Sequence, residues 1–257
     1  MQIFDSHTHL NDPAFAGREA ALIEHAQRLG VVRMANVGSN AALNQRALEL
    51  AHQYPGLVAI VGWHPEDADG YDEAAGATLR AQLQDEQVVA LGEIGLDYHQ
   101  TRVDRKTQQA VFRQQIRLAQ DLGLPISVHN REAFADTYQI LREEHVERIG
   151  GIIHSFNGDV EWMQRFLDLG MMLSYSGVAS FKKTKEVHEA VRQTPLDRLL
   201  VETDAPYLAP EPLRGHENEP GNTLYTLEAV ARYKDVDPDQ IAQATYANTN
   251  RIFGLEG

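Results

Sequence analysis

The feature that most constrains the fold of this chain is an eightfold alternation of short apolar segments with longer amphipathic segments. The apolar segments are rich in Val, Ile and Leu, as is typical of strands buried on both faces of a parallel sheet. The predicted strands are 2–5, 32–37, 57–63, 88–94, 125–129, 150–156, 171–176 and 199–204. Each amphipathic segment predicts a helix that crosses over to the next strand.

The predicted helices follow the strands in the same regular order. They span 17–29, 40–53, 74–86, 104–122, 132–146, 159–169, 183–193 and 222–233, with a last helical segment at 236–253. The pattern is clearest in 104–122, where Val111, Phe112 and Ile116 share one apolar face and Gly123 occupies the position of a helix C-cap.

Eight strand–helix units predict an α/β fold, namely a (β/α)8 barrel of the TIM type, which usually takes about 250 residues. The chain has 257 residues, so we expect a single domain spanning 1–257. A doubly wound open sheet is the alternative, but it needs a glycine-rich phosphate loop after the first strand. The residues there are SHTHLNDP (6–13), so the barrel is favoured.

The composition of the chain excludes several kinds of protein and of chemistry. The absence of cysteine excludes disulfides, thiolate ligands and cysteine nucleophiles, and suits a reducing compartment. No apolar run reaches the roughly 18–20 residues of a membrane span, and the first residues do not resemble a secretion signal. We therefore expect a cytoplasmic protein without a membrane partner, and a monomer. The net charge of −14 argues against a protein that coats duplex DNA.

Side chains able to bind a metal gather where the predicted strands end. They are His7, His9, His64, Glu93, His129, His154 and Asp204. In a barrel, the C-terminal ends of the strands form the face on which active sites are built. The other histidines fall in predicted helices or loops, where a solvated or packing role is expected.

The ligand types and their number predict a dinuclear metal centre. His7 and His9 are two residues apart, so both side chains can point to the same side of a strand and bind one ion. Carboxylates buried near an apolar barrel mouth, here Glu93 and Asp204, are costly unless they are paired or bound to metal.

Six ligands exceed the three of a typical catalytic zinc site, which argues for two ions. The expected division places Glu93 as the bridge between two ligand sets. One set is His7, His9 and Asp204, and the other is His129 and His154. Imidazole and carboxylate ligands suit Zn, Mn, Fe or Ni, and Mg is also compatible with the carboxylates.

The chain resembles the TatD family of metal-dependent deoxyribonucleases, a branch of the amidohydrolase-like hydrolases. The matching segments are DSHTHL (5–10), GWHPE (62–66), ALGEIGLDYH (90–99), PISVHNREA (125–133), IIHSFNG (152–158), VETDAPYLAPEPLRGHENEP (201–220) and ANTNRIFG (247–254). The resemblance implies a TIM-type barrel, one or two divalent metal ions, and phosphodiester hydrolysis that trims nucleic acid ends. It also implies that the six residues named above are the metal ligands.

Two details of the motifs refine this resemblance. The chain has HSFNG where the family often has HCFSG, which keeps His154 but places Asn157 where substrate contacts could change. Many amidohydrolase relatives bridge their metals with a carboxylated lysine. Strand four here offers Glu93 instead, which is similar to the TatD branch and unlike dihydroorotase or phosphotriesterase sites.

The expected chemistry is attack on phosphorus by a metal-activated water, with Asp204 as both ligand and general base and Glu93 as the second catalytic carboxylate. Several residues are weaker candidates for substrate contacts: His64, Tyr98, Arg131, Tyr207 and Arg214. For each, a packing or ion-pairing role is the alternative, such as a salt bridge between Arg131 and Glu132.

Two other functions remain open at this point. The first is hydrolysis of a small ester, amide or phosphoester on the same scaffold, because one fold hosts many reactions. The second is a metal-binding protein without catalytic activity, which a missing ligand would have suggested. The expected substrates are nucleic acid ends or a small phosphodiester.

Overall fold

The computed structural model describes residues 1–100 and 102–256, and its strands lie side by side in chain order. Each strand pairs in parallel with the next, so the chain forms a (β/α)8 barrel of the TIM type. The strands are β1 Ile3–Thr8, β2 Val31–Val37, β3 Leu57–Val61, β4 Val88–Asp97, β5 Ile126–Arg131, β6 Gly151–Ile153, β7 Met171–Tyr175 and β8 Leu199–Val201.

A helix follows each strand, as the alternation in the sequence predicts. The helices are α1 Glu19–Arg28, α2 Ala41–Gln53, α3 Glu73–Gln82, α4 Arg105–Leu122, α5 Phe134–Glu143, α6 Val160–Asp168, α7 Lys185–Gln193, α8 Thr223–Lys234 and α9 Pro238–Ile252. Within the described ranges, no helix combines the length and the apolar character needed to cross a membrane.

Helix α4 illustrates how local sequence sets the element bounds. Asp104 caps its start, accepting hydrogen bonds from the backbone N–H groups of Lys106 and Thr107. Gly123 ends it with φ of +67°, a left-handed conformation that glycine adopts without a steric penalty. Val111 and Phe112 are buried against the rest of the core, which confirms the predicted apolar face.

Helix α9 covers the barrel near the start of β1. Its Tyr246, and Phe253 just beyond its end, pack against Phe4 with ring centroids 6.2 and 5.9 Å away. Phe4 belongs to a buried cluster with Ile60 and Leu200 from other strands. This packing closes the end of the barrel at which β1 begins. The C-terminal ends of the strands lie at the opposite end.

The first and last strands are joined by hydrogen bonds at the barrel mouth. The backbone N–H of Asp204 donates to the carbonyl of His7 (2.9 Å), and that of His9 donates to the carbonyl of Ala205 (2.8 Å). Asp5 is fully buried and accepts hydrogen bonds from the backbone N–H (2.9 Å) and the hydroxyl (2.6 Å) of Thr203. We call these contacts the β1–β8 seam.

The observed strand ends differ from the predicted ones in a systematic way. Strand β6 stops at Ile153 and β8 at Val201, short of the predicted 156 and 204. Shortly beyond them, Ser155 (φ +43°) and Asp204 (φ +56°) adopt left-handed conformations that a strand cannot contain. Strand β4 runs further than predicted, to Asp97, because it continues pairing with β5.

Candidate metal centre

Glu93 lies at the centre of the barrel mouth, carried by β4 and almost fully buried. Its Oε2 faces the first histidine pair, at 3.5 Å from His7 Nε2 and 3.6 Å from His9 Nε2. Asp204 Oδ1 approaches the same two nitrogens, at 3.8 and 3.4 Å. One oxygen of Glu93 therefore shares a small space with two imidazoles and a second carboxylate.

The other oxygen of Glu93 faces a separate set of imidazoles. Oε1 lies 2.7 Å from His129 Nδ1, 2.8 Å from His154 Nε2 and 3.6 Å from His64 Nε2. His129 belongs to β5, His154 follows β6 directly, and His64 follows β3. The structure thus brings together all seven strand-end residues that the sequence singled out, and it divides the other six between the two oxygens of Glu93.

Four of these imidazoles are also held through their second ring nitrogen, which fixes how each ring is turned. The pairs are His9 Nδ1 with the Val37 carbonyl (2.8 Å), His7 Nδ1 with Ser127 Oγ (3.4 Å), His129 Nε2 with Asp97 Oδ2 (3.0 Å) and His154 Nδ1 with Glu202 Oε1 (3.2 Å). Such partners select the ring tautomer and leave the other nitrogen free to coordinate.

Sequence reasoning named none of these partners, and two of them, Asp97 and Glu202, are carboxylates that it could have found. Asp97 follows Glu93 by four residues in the same strand, a spacing that puts both side chains on one face. Glu202 precedes Asp204 by two residues and is fully buried. In both cases the spacing was a usable signal, because a buried carboxylate near histidines needs a partner.

The electrostatics of the cluster favour ionised carboxylates. Burial alone would raise the pKa of Glu93, but the charge of His154 and the hydrogen bonds from the His129 and His154 rings hold that pKa well below its usual value. Burial opposes the charge on His9 as well, yet its hydrogen bond to Asp204 and the nearby carboxylates raise the pKa of His9 to about 9.

His64 behaves differently from the other rings. Burial lowers the pKa of His64 to about 4, so its imidazole is neutral at physiological pH. Its Nδ1 accepts a hydrogen bond from the backbone N–H of Glu66 (3.2 Å), which leaves Nε2 pointing towards Glu93. Sequence reasoning gave His64 no place among the ligands, and the structure places its Nε2 beside Glu93 and His129.

The arrangement fits divalent metal ions. Donor atoms converge within 4.8 Å of one another in three groups, namely His7–His9–Asp204, His64–Glu93–His129 and His7–His154–Glu202. Nε2 of His7 and Nε2 of His9 are 3.3 Å apart, and so are Nδ1 of His129 and Nε2 of His154. Glu202 Oε2 is buried without a hydrogen-bond partner among the described residues. Nitrogen and carboxylate donors of this kind suit first-row transition metals.

A cavity of about 780 Å³ opens above these donors. Arg131 is the only lysine or arginine among the described residues that line it. The guanidinium of Arg131 forms no ion pair with any of the described residues. The alternative predicted from the sequence, a salt bridge between Arg131 and Glu132, is therefore wrong. Glu132 Oε1 lies 2.8 Å from His99 Nδ1 instead. Tyr207 also lines the cavity, with more than half of its surface exposed.

Two other sequence candidates take part in packing contacts. Tyr98 donates a hydrogen bond to Asp136 (2.6 Å) and lies beneath the guanidinium of Arg105. Arg214 lies over the ring of Phe181, with 4.3 Å between its guanidinium carbon and the ring centroid. Among the described residues, neither Tyr98 nor Arg214 lines the cavity.

Two relatives match this chain over nearly its whole length. The chain is 40% identical over 253 residues to the uncharacterized metal-dependent hydrolase YabD of Bacillus subtilis, covering 98% of this chain and 99% of that protein. It is 31% identical over 260 residues to the 3'-5' ssDNA/RNA exonuclease TatD of Klebsiella pneumoniae, covering 99% and 98% of the two chains.

A solved structure is similar throughout. The TatD homologue YJJV of Escherichia coli superposes with a TM-score of 0.92 at 28% identity, covering 99% of this chain and 98% of that one. The sequence model of the TatD related DNase family matches residues 4–254. The chain therefore belongs to the TatD related DNase family, whose members with similar sequences are metal-dependent hydrolases.

Proposed function

We propose that this protein is a metal-dependent exonuclease that cleaves phosphodiester bonds at the ends of single-stranded nucleic acid. The observation that carries the proposal is the position of Glu93, whose two oxygens face two separate sets of donors below an open cavity. Paired metal sites about 3.5–4 Å apart are typical of nucleases and phosphatases. A relative named as an ssDNA/RNA exonuclease supports the same substrate class.

The ligands divide between two sites in this proposal. His7, His9 and Asp204 would hold one ion, His129 and His154 would hold the other, and Glu93 would offer one oxygen to each set. Divalent ions bound there supply Lewis acidity, which lowers the pKa of water and neutralises charge on phosphoryl oxygens. Because Nδ1 of the neutral His64 ring accepts from the Glu66 N–H, its Nε2 carries the proton and is available as a hydrogen-bond donor to the leaving group.

Asp204 is the proposed general base. Although burial alone would raise the pKa of Asp204, its hydrogen bond to His9 and the neighbouring His154 and His7 charges lower it. The carboxylate is therefore ionised at neutral pH and lines the cavity. It can accept the proton of the attacking water as the new oxygen–phosphorus bond forms and the bond from phosphorus to the leaving oxygen of the nucleic acid chain breaks.

Arg131 is the proposed phosphate contact. It lines a cavity whose other charged groups are mostly acidic, and it has no ion-pair partner among the described residues. A guanidinium can donate two parallel hydrogen bonds to phosphate oxygens. Charge that builds on the non-bridging oxygens during attack would be stabilised there.

A small phosphodiester or phosphoester is the second candidate substrate. The net charge of −14 favours it, since a strongly acidic protein repels a long polyanion. In this case the same residues keep the same roles. The two candidates differ only in what occupies the cavity beyond the scissile group.

The test is a substrate panel with the purified protein, stripped of metal and reloaded separately with Mg, Mn, Zn, Fe or Ni. We expect progressive shortening of end-labelled single-stranded oligonucleotides and slower attack on blunt duplexes. Asp204→Asn should lower kcat by about 10²–10⁴-fold with saturating metal.

Two results would contradict the proposal. One is cleavage of esters or lactones with no cleavage of any phosphodiester by the wild-type protein. The other is turnover by Asp204→Asn close to that of the wild type. Labels at the 5' and 3' ends, in separate substrates, report the direction of digestion.

A further inference from the structure

An exposed aromatic ring stands at the edge of the cavity. Tyr207 is 54% exposed, and Met1 is the only other large apolar side chain among the described residues that is exposed to this extent. A tyrosine that served only in packing would have a buried ring, so packing does not account for the exposure of Tyr207 beside the cavity.

Three hydrogen bonds, one from the hydroxyl and two at the backbone, hold Tyr207 in position. Its hydroxyl donates to Asp12 Oδ2 (3.0 Å), while Oδ1 of Asp12 accepts from the backbone N–H of Ala14 (2.8 Å). The backbone N–H of Tyr207 donates to the carbonyl of Asp204 (2.8 Å), and its own carbonyl accepts from Asn218 Nδ2 (2.7 Å). The ring is therefore held in place although much of its surface is open.

The ring is also close to the metal ligands. The centroids of Tyr207 and His9 are 6.2 Å apart, with the rings inclined at 70°. A phosphate bound at the donor cluster would thus place its neighbouring nucleoside within reach of the tyrosine. Partial burial, together with the charge of Asp12 and the hydrogen bond to it, raises the pKa of Tyr207 to about 12, so the ring is uncharged at physiological pH.

We propose that Tyr207 is a stacking platform for the base of the nucleotide next to the scissile phosphate. The inference rests on the proposed nuclease function and assigns a specificity-determining residue to it. Stacking on an aromatic ring accepts every base, because each base has a π-face. It also requires an unstacked base, so the platform would select single-stranded or frayed ends over intact duplex.

The first test compares substrates with and without a terminal base. Single-stranded oligonucleotides carry a tetrahydrofuran abasic residue at the 3' end, at the 5' end, or at neither. We expect the wild type to prefer the base-bearing form at one end by about tenfold in kcat/KM, mainly through KM. Tyr207→Ala should lower this ratio to near one. Tyr207→Phe, which keeps the ring, should retain it.

Tyr54→Ala is the matched control. Tyr54 follows α2 at the opposite end of the barrel and does not line the cavity in the described structure. This variant should keep the wild-type preference for a terminal base. Equal ratios for the wild type and Tyr207→Ala would overturn the stacking platform while leaving the nuclease proposal intact.

The second test does not depend on turnover. A terminal 2-aminopurine loses fluorescence when it stacks, so its emission can be followed during titration with metal-free protein or with protein loaded with Ca²⁺. We expect quenching by the wild type and Tyr207→Phe, and at least a tenfold weaker quenching titration with Tyr207→Ala. Equal quenching by all three proteins would contradict the inference even if no oligonucleotide were cleaved.

Discussion

Nδ1 of His154 lies 3.2 Å from Oε1 of Glu202, and both side chains are buried. The same carboxylate oxygen accepts a hydrogen bond from the backbone N–H of Ser155 (2.8 Å). Glu202 thus holds both the ring and the backbone beside it, and the Nε2 atom of His154 is turned towards Glu93. The orientation of the His154 ring is therefore fixed by Glu202, on the side of the ring that faces away from Glu93.

Glu202→Gln should weaken metal binding by about 10–100-fold, as is usual when the outer partner of a ligating histidine is changed. The substitution keeps the size of the side chain but removes its charge, and it leaves the buried amide nitrogen, at the position of Oε2, without an acceptor. Isothermal titration of the metal-free protein measures the loss. Glu161→Gln, on the exposed face of α6, is the control, and an unchanged affinity in Glu202→Gln would contradict the assigned role.

Glu93→Gln should impair both metal sites at once, because the two oxygens of Glu93 face both donor sets. We expect two ions per chain in the wild type and fewer than one in this variant after gel filtration. Asp204→Asn, which touches only the first donor set, should still retain one. Elemental analysis gives these numbers, and a full complement in Glu93→Gln would exclude the bridging role.

Metal affinity should rise with pH up to about 9. The folded, metal-free protein keeps a proton on His9, whose pKa is raised to about 9, and this proton must leave before the ring can coordinate. Between pH 7 and 9 the apparent affinity should increase by up to about tenfold per pH unit for this proton. Titration calorimetry in Hepes and in Tris counts the protons released, and identical heats in both buffers would refute this.

Arg131→Gln should raise the KM for a phosphodiester by about tenfold while leaving the fold intact. The side chain is exposed and has no ion pair among the described residues, so its loss should change the free energy of unfolding by less than about 0.5 kcal/mol. Steady-state kinetics and urea unfolding separate the two effects. Arg148→Gln, exposed near the start of β6, controls for loss of a surface charge, and an unchanged KM in Arg131→Gln would remove Arg131 from the site.

Asp5→Ala should lower the free energy of unfolding by about 2–4 kcal/mol, because it removes the acceptor of several buried hydrogen bonds in the β1–β8 seam. Burial raises the pKa of Asp5 to about 8, so the carboxyl is largely neutral at pH 7. Asp5→Asn should for that reason cost less than Asp5→Ala at this pH. Urea unfolding of both variants tests the order, and equal stability of Asp5→Ala and wild type would contradict it.

The periodicity of apolar residues in the sequence predicted both the barrel and the grouping of the seven metal-competent residues. Apolar periodicity locates the strands, and parallel strands of a barrel bring their C-terminal ends to one rim. His129 and His154, which are far from His7 in the chain, could thus be assigned to one cluster before any distance was known. Element bounds were less accurate where left-handed residues such as Asp204 end the regular geometry.

Side-chain partners were harder to predict than ligand positions. Arg131 and Glu132 are adjacent in sequence, but Glu132 has φ of +55° and its carboxylate turns to His99. Tyr98 follows a strand end, as the ligands do, yet its hydroxyl is bound by Asp136. The partner of a side chain depends on the local backbone conformation and on which neighbouring group lies within hydrogen-bond distance. The periodicity of the sequence carries no information about either.

The β1–β8 seam has a consequence for synthesis of the protein. It joins His7 to Asp204, which is translated long after His7 because almost the whole barrel lies between them in the chain. A nascent or prematurely terminated polypeptide therefore cannot assemble the first donor set, whatever metal is present. The first donor set is in this way completed only after the residues that follow β8 have been translated.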